Sequence, residues 1–175
     1  MKKSIDLIII AASNGKNLDL AKRFKTKSNE LNLSSEILDL TELNIPLYNP
    51  RIHIKGEIPK EITLIKERLF ETEKWIICAP EYNGSIPPIL SNLIAWLSVS
   101  GDDFRNLFNG QPIAIATFSG GHGIGLLTSL RIQLVHLGSQ VLGRQLSSCF
   151  SKPAEDQTIE DIINRLVQMN KLILN

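Results

Sequence analysis

Apolar runs of strand length alternate along this chain with longer segments whose apolar positions recur at helical spacing. The first run, Ile5–Ala11, is nearly continuous in aliphatic and β-branched residues. Such a run marks a strand covered on both faces. A helix follows over Leu18–Leu31, with Leu20, Ala21, Phe24 and Leu31 toward one side, and then a second strand over Ser35–Leu40. Residues Leu43–Pro59 carry three prolines and no period, which predicts an irregular surface excursion. Next come a helix over Glu61–Phe70, a strand over Trp75–Ala79 and a helix over Ile89–Val99. Pro112–Phe118 reads as a fourth strand in which Pro112 fits only as the first residue. A helix over Leu126–Leu137, a strand starting at Gln140–Gly143 and a closing helix over Thr158–Leu174 complete the chain.

Strictly alternating strands and helices predict an α/β fold, a parallel sheet wrapped by helices on both faces. Five strands with right-handed crossovers lead to a doubly wound sheet of order 2-1-3-4-5. Its switch point lies between the first and third strands. The loops leaving those strands, 13–17 and 81–88, therefore open on one crevice, with the loop after the fourth strand beside it. The 175 residues fit one domain, 1–175, with no internal repeat or linker.

Composition narrows the class. Hydrophobic residues make up 43% of the chain and charged residues 21%, with a net charge of +1 and no long run of either sign. A nucleic-acid partner would need a basic patch, and none is visible. No stretch approaches the ~20 apolar residues that span a bilayer. Met1-Lys2-Lys3 before an apolar run resembles a leader, but Asp6 interrupts the run and a first core strand explains it better. Cys78 and Cys149 stand in apolar surroundings without metal spacing and read as reduced packing thiols, which points to a cytoplasmic protein.

The three loops hold the chemistry. Ser13, Asn14, Gly15, Lys16 and Asn17 lie at the start of the first helix, where unpaired N–H groups and the helix dipole suit a phosphate. Neither G-x-G-x-x-G nor a P-loop is present. The plainer role for Asn17 is to cap that helix. In the second loop, Pro80, Glu81, Tyr82, Asn83 and Gly84 place an aromatic ring, a carboxylate, an amide and a flexible glycine together, a mixture suited to a flat ring. In the third, Ser119, Gly120 and Gly121 offer backbone N–H groups to a carbonyl-rich ring edge. His122 is either a ligand contact or a solvated tip, and His53 and His136 have no assigned role. With no Ser-His-Asp order and no paired cysteine motif, a bound cofactor is the better carrier of the chemistry than a nucleophile.

Residues Pro80–Trp96, P-E-Y-N-G-S-I-P-P-I-L-S-N-L-I-A-W, resemble the signature of the NADPH-dependent FMN reductase family, P-E-Y-N-G-S-x-P-G-x-L-K-N-x-I-D-W. The resemblance implies a flavodoxin-like fold, FMN as cofactor and NADPH or NADH as electron donor. It also implies a flavin, quinone, azo or similar small-molecule acceptor, and a homodimer or homotetramer. It puts Glu81, Tyr82, Asn83 and Gly84 at the flavin ring and ribityl chain, Ser13 and Asn17 at the phosphate, and Ser119, Gly120 and Gly121 at the pyrimidine edge. The chain departs from the pattern at Pro88, Ser91 and Ala95, where the family has Gly, Lys and Asp, and in a shorter first loop with Lys16 but no arginine. The implied activity is hydride transfer through FMN, with no protein acid or base required. The alternatives are an FMN-binding sensor without turnover and a flavodoxin-like electron carrier.

Overall fold

A computed structural model describes residues 5–51, 58–100 and 106–172. Six strands form one parallel sheet: β1 (Leu7–Ala11), β2 (Ser35–Asp39), β3 (Lys74–Cys78), β4 (Pro112–Phe118), β5 (Gln140–Val141) and β6 (Leu146–Ser148). Among the described residues five longer helices flank it: α1 (Lys16–Glu30), α2 (Lys60–Glu71), α3 (Pro88–Val99), α4 (Ile124–His136) and α5 (Asp156–Leu166). The order along the sheet is β2-β1-β3-β4-β5, as the alternation predicts, and every pairing is parallel.

One expectation needs correcting. The fifth strand is not a single element of a five-stranded sheet. It is split into β5, beside Pro112 and Ile113, and β6, beside Ala116–Phe118. Between the two halves the chain bulges away from β4. The guanidinium of Arg131, on α4, fills the break by donating to the carbonyls of Val141 (3.3 Å) and Leu142 (2.8 Å) and to Gln145 Oε1 (3.0 Å). A long cationic side chain thus satisfies carbonyls at the break.

Strand alternation divides the core in two. Ile8, Ile10, Trp75, Ile77, Ile113 and Ile115 face α2, α3 and α4. Leu7, Ile9, Ile76, Cys78, Ala114 and Ala116 face α1 and α5, where Leu20, Ala21, Phe24, Ile159, Ile162 and Ile163 meet them. All of these are buried. At about 1.5–3 kcal/mol for each large apolar side chain, this two-sided burial is the main stabilising term.

The ends of α1 show how local sequence sets the frame. At its C-terminus Asn32 takes the left-handed conformation (φ 59°), the Asn32 N–H bonds Asn29 O, and the Leu33 N–H bonds Ser28 O. That is the Schellman termination, with asparagine in the position glycine usually fills. Helix α3 starts at Pro88 in its first turn, where a missing N–H costs nothing. Further along α3, Asn92 accepts the Tyr48 N–H (2.7 Å) and donates to Pro46 O (3.0 Å), and Trp96 Nε1 donates to the same carbonyl (2.8 Å). Two residues of the signature string therefore fasten the proline-rich excursion to the helix.

Several boundaries moved. Helix α1 begins at Lys16 rather than Leu18, α4 at Ile124 rather than Leu126, and α5 runs Asp156–Leu166. Its expected end at Leu174, part of the 43–59 excursion, and His53 lie outside the described residues. No helix among the described residues is long and apolar enough to cross a membrane.

Candidate functional site

The C-terminal ends of β1, β3 and β4 lie side by side, so the three loops that leave them share one edge of the sheet. The first loop is short. Ala12 N–H still bonds Cys78 O (2.9 Å), and Gly15 is already the cap of α1, with no side chain bonded to the helix end. The first intrahelical bond runs from Asp19 N to Gly15 O. The N–H groups of residues 13–18 consequently have no acceptor among the described residues. Ser13 is half-buried, while Asn14, Gly15 and Lys16 are exposed, with Lys16 Nζ 3.7 Å from Asp19 Oδ2.

Asn17 does not take the capping role expected of it. It neither caps α1 nor turns its amide outward. Buried at 2% exposure, it donates from Nδ2 to Phe118 O (2.9 Å) and accepts the Phe118 N–H at Oδ1 (2.8 Å). Its side chain clamps the end of β4 to the start of α1, and its backbone N–H has no acceptor among the described residues.

The second loop is a two-residue hairpin. Tyr82 and Ser85 exchange both backbone hydrogen bonds (3.1 and 3.0 Å), and Asn83 (φ 52°) and Gly84 (φ 70°) are both left-handed. That is the type I′ turn, for which Asn-Gly is the strongest sequence signal. It holds Tyr82 half-exposed at the rim. Glu81 is tied to the third loop and its helix: Oε2 accepts the Leu126 N–H in the first turn of α4 (3.0 Å), and the Glu81 N–H bonds Ser119 Oγ (2.8 Å). Gly125 makes this approach possible, because a Cβ there would stand 2.3 Å from Gly84 O.

The third loop hangs on a buried hydroxyl relay. Thr117 Oγ1 donates to Ala79 O (2.6 Å), so its only proton is spent. At the 3.0 Å contact between the hydroxyls, Ser119 must therefore donate to Thr117, while accepting from Glu81. The Ser119 side chain is part of the frame and not of the crevice lining. Beyond it, Gly120 and Gly121 are exposed and their N–H groups have no acceptor among the described residues. His122 is an exposed tip in a left-handed conformation (φ 68°) whose carbonyl accepts from Ser147 Oγ (2.6 Å).

His122 Nε2 also lies 4.0 Å from Cys149 Sγ, a relationship invisible in the sequence. Cys149 is buried, yet polar: Ser151 Oγ is 3.1 Å from its sulfur. That hydrogen bond, with backbone N–H groups of Lys152 and Ser151, lowers its pKa, whereas burial alone pushes Cys78 up. Both cysteines are free and buried, as expected, but their surroundings differ: apolar at Cys78, hydrogen-bonding at Cys149. A cavity of about 310 Å³ borders Cys149, walled by Phe118, Phe150 and Leu20 with Lys16 and Arg23 at its edge.

The predicted site residues thus separate into two groups. Glu81, Asn17 and Ser119 build the crevice; Ser13, Tyr82, Asn83 and the glycines face outward from its walls. A Cβ placed on Gly15, Gly84, Gly120 or Gly121 would meet nothing within 4 Å, whereas one on Gly123 or Gly125 would clash. An uncapped helix start for an anion, open glycines and unpaired N–H donors fit a phosphate-bearing planar ligand such as FMN. Among the described residues no group of His, Cys, Asp and Glu could hold a metal ion.

Fold and crevice together define a flavodoxin-like protein. Comparison places it further: the model of the NADPH-dependent FMN reductase family matches residues 5–152, and the chain belongs to that family. It is 29% identical to an NADPH:quinone oxidoreductase from Arabidopsis thaliana over 57% of this chain and 48% of the relative. It is 32% identical to a quinone reductase from Escherichia coli over 67% of this chain and 59% of the relative. The matches span about half the length of these relatives. A solved flavoenzyme NAD(P)H:(acceptor) oxidoreductase from Paracoccus denitrificans superposes with TM-score 0.75 at 18% identity, covering 95% of this chain and 97% of that one. This last likeness supports the fold.

Proposed function

We propose that the chain is an FMN-dependent NAD(P)H oxidoreductase that reduces a small-molecule acceptor. The observation that carries the reading is the pairing of two sets of free backbone donors, residues 13–18 and Gly120–Gly121, on either side of the rigid Tyr82–Ser85 hairpin. Ser13 and the N–H groups at the start of α1 would hold the phosphate. Pro80, Tyr82, Asn83 and Gly84 would lie along the ring and ribityl chain, and Gly120 and Gly121 at the pyrimidine edge.

The chemistry FMN supplies when bound is two-electron transfer from NADPH or NADH to a flavin, quinone, azo compound or similar acceptor. The protein's part is positioning and electrostatic support. The N–H donors of Gly120 and Gly121 are set to stabilise negative charge where reduction builds it. Glu81 directs one carboxylate oxygen to the N-terminus of α4, where the helix dipole favours a negative charge. No side-chain acid or base is assigned.

A homodimer or homotetramer is part of the proposal. On the outer face of α4, Ile124, Ile132 and Val135 are 60%, 65% and 54% exposed at helical spacing. An apolar stripe of that kind suits contact with a second copy.

Titrating the purified protein with FMN, following flavin fluorescence, tests binding; NADPH and NADH oxidation with a panel of quinones and azo dyes tests turnover. The expected result is saturable binding and acceptor-dependent oxidation of at least one nucleotide. Protein that ignores added FMN would sink the reading, and FMN binding without oxidation of either nucleotide would reduce it to a flavin-binding protein.

A further inference from the structure

Glu81 opens the hairpin loop, yet both of its polar ends grip the third loop. Its N–H donates to Ser119 Oγ at 2.8 Å, and its carboxylate Oε2 accepts the Leu126 N–H at 3.0 Å. Ser119 and Leu126 bracket the Gly120–Gly121 pair, so one residue fastens that donor segment at both ends. The segment between them contains His122 and Gly123, both left-handed (φ 68° and 66°), a conformation that costs free energy at His122. Something outside the segment has to hold it in place. The carboxylate is well suited, since it meets the positive end of α4 and a backbone donor that the helix leaves unpaired.

We propose that Glu81 is the latch that sets the position of the Gly120–Gly121 donors relative to the hairpin before any ligand arrives. It is a positioning residue, and not a contact to the flavin. This rests on the reading of the crevice as an FMN site. Without the carboxylate tie the Leu126 end of the segment loosens, while the Glu81 N–H on Ser119 and Ser147 Oγ on the His122 carbonyl still hold the other side; ordering that end again falls to the ligand, which weakens binding without the loss of any direct contact. Glutamine at this position retains a carbonyl acceptor for the Leu126 N–H, so it keeps the tie while removing the charge. Alanine removes both.

Hydrogen exchange in the FMN-free protein and FMN titration, applied to the full chain and to Glu81→Ala and Glu81→Gln, separate the possibilities. Glu81→Ala is expected to speed amide exchange across residues 119–126 and to raise the FMN dissociation constant by about tenfold, with Glu81→Gln restoring both to within about threefold. Thermal unfolding checks that each variant is folded. Weaker FMN binding by Glu81→Ala with unchanged exchange over 119–126 would mean direct contact and overturn the proposal. Faster exchange with unchanged FMN affinity would overturn it equally, because the latch would not bear on the site. If the unmodified chain binds no FMN, the proposed function fails; exchange over 119–126 then decides the latch alone, faster in Glu81→Ala supporting it and unchanged overturning it.

Discussion

Asn17 grips the peptide group of Phe118 from both sides, donating to its carbonyl at 2.9 Å and accepting its N–H at 2.8 Å. The two residues are 101 positions apart in sequence, and the pair joins the first loop to the last residue of β4. Asn17→Ala leaves both groups of Phe118 without their partner in a buried setting. The expected loss is about 2–3 kcal/mol, since each orphaned group costs about 1–3 kcal/mol. For a chain of this size that lowers Tm by about 5–10 °C in a thermal scan. Asn17→Asp is not a rescue, because it sets a carboxylate against the Phe118 carbonyl. A Tm unchanged by either substitution would show that the clamp contributes nothing.

Two glycines at the crevice should respond in opposite ways. Gly125→Ala puts a methyl group 2.3 Å from Gly84 O and 3.1 Å from Glu81 Oε2, so the hairpin has to move away from α4. Overpacking of this kind costs about 1–3 kcal/mol. Gly121→Ala meets nothing within 4 Å, and its stability should stay within about 0.5 kcal/mol of the parent. Urea unfolding of the two variants measures the contrast, and equal losses would contradict it.

The two cysteines should differ in reactivity. Hydrogen bonding by Ser151 holds the Cys149 thiol below its ordinary value, while burial holds Cys78 above it. Iodoacetamide at mildly alkaline pH is expected to modify Cys149 first, with Cys78 protected until unfolding, as peptide mass mapping would report. The sign of the linked stability follows. A depressed folded-state pKa contributes stability above the ordinary thiol value of about 8.5 and loses it as pH falls through the folded-state value. Faster labelling of Cys78 would reverse the assignment.

Acid stability should depend on two carboxylates of α5. The Arg23 guanidinium, 2.6 Å away, holds Asp156 below the usual carboxylate range, and Arg165 does the same for Asp161 with help from Arg144. Both folded-state values are depressed, so the stabilisation is complete above the unfolded value of about 3.9 and disappears as pH falls through the lower folded-state values. Asp156→Asn with Asp161→Asn should therefore be less stable than the parent at neutral pH and converge with it in strong acid. Parallel unfolding curves at all pH values would rule this out.

Much of the frame was legible because burial on both faces leaves an unbroken apolar signature, as in Leu7–Ala11 and Trp75–Cys78, and strand order then follows from crossover handedness. The halves of the outer strand were not. Gln140–Val141 and Leu146–Ser148 are too short to show a period, and what interrupts them is a side chain, Arg131, from another element. The loops that flank the crevice were legible as places, and the Asn83-Gly84 pair carried its turn type in plain view. What each polar side chain does there was not legible. Asn17, Glu81 and Ser119 have the right chemistry for a ligand, but their side chains are engaged by Phe118 and Thr117 at the end of β4 and by Leu126 at the start of α4. Residue type alone does not distinguish a group that receives a ligand from one that holds the receiver.

The break between β5 and β6 has a consequence for how molecules of this protein meet. An exposed strand edge invites the addition of further strands and, with them, aggregation. Here the outermost strand is offered in pieces of two and three residues, and Arg131 engages the carbonyls of Val141 and Leu142 beside the gap. The sheet presents no long rail on that side for another chain to extend. Copies that meet at that edge have to do so through side-chain surfaces, where a wrong partner can be refused by shape and charge, and not through the backbone, which every chain shares.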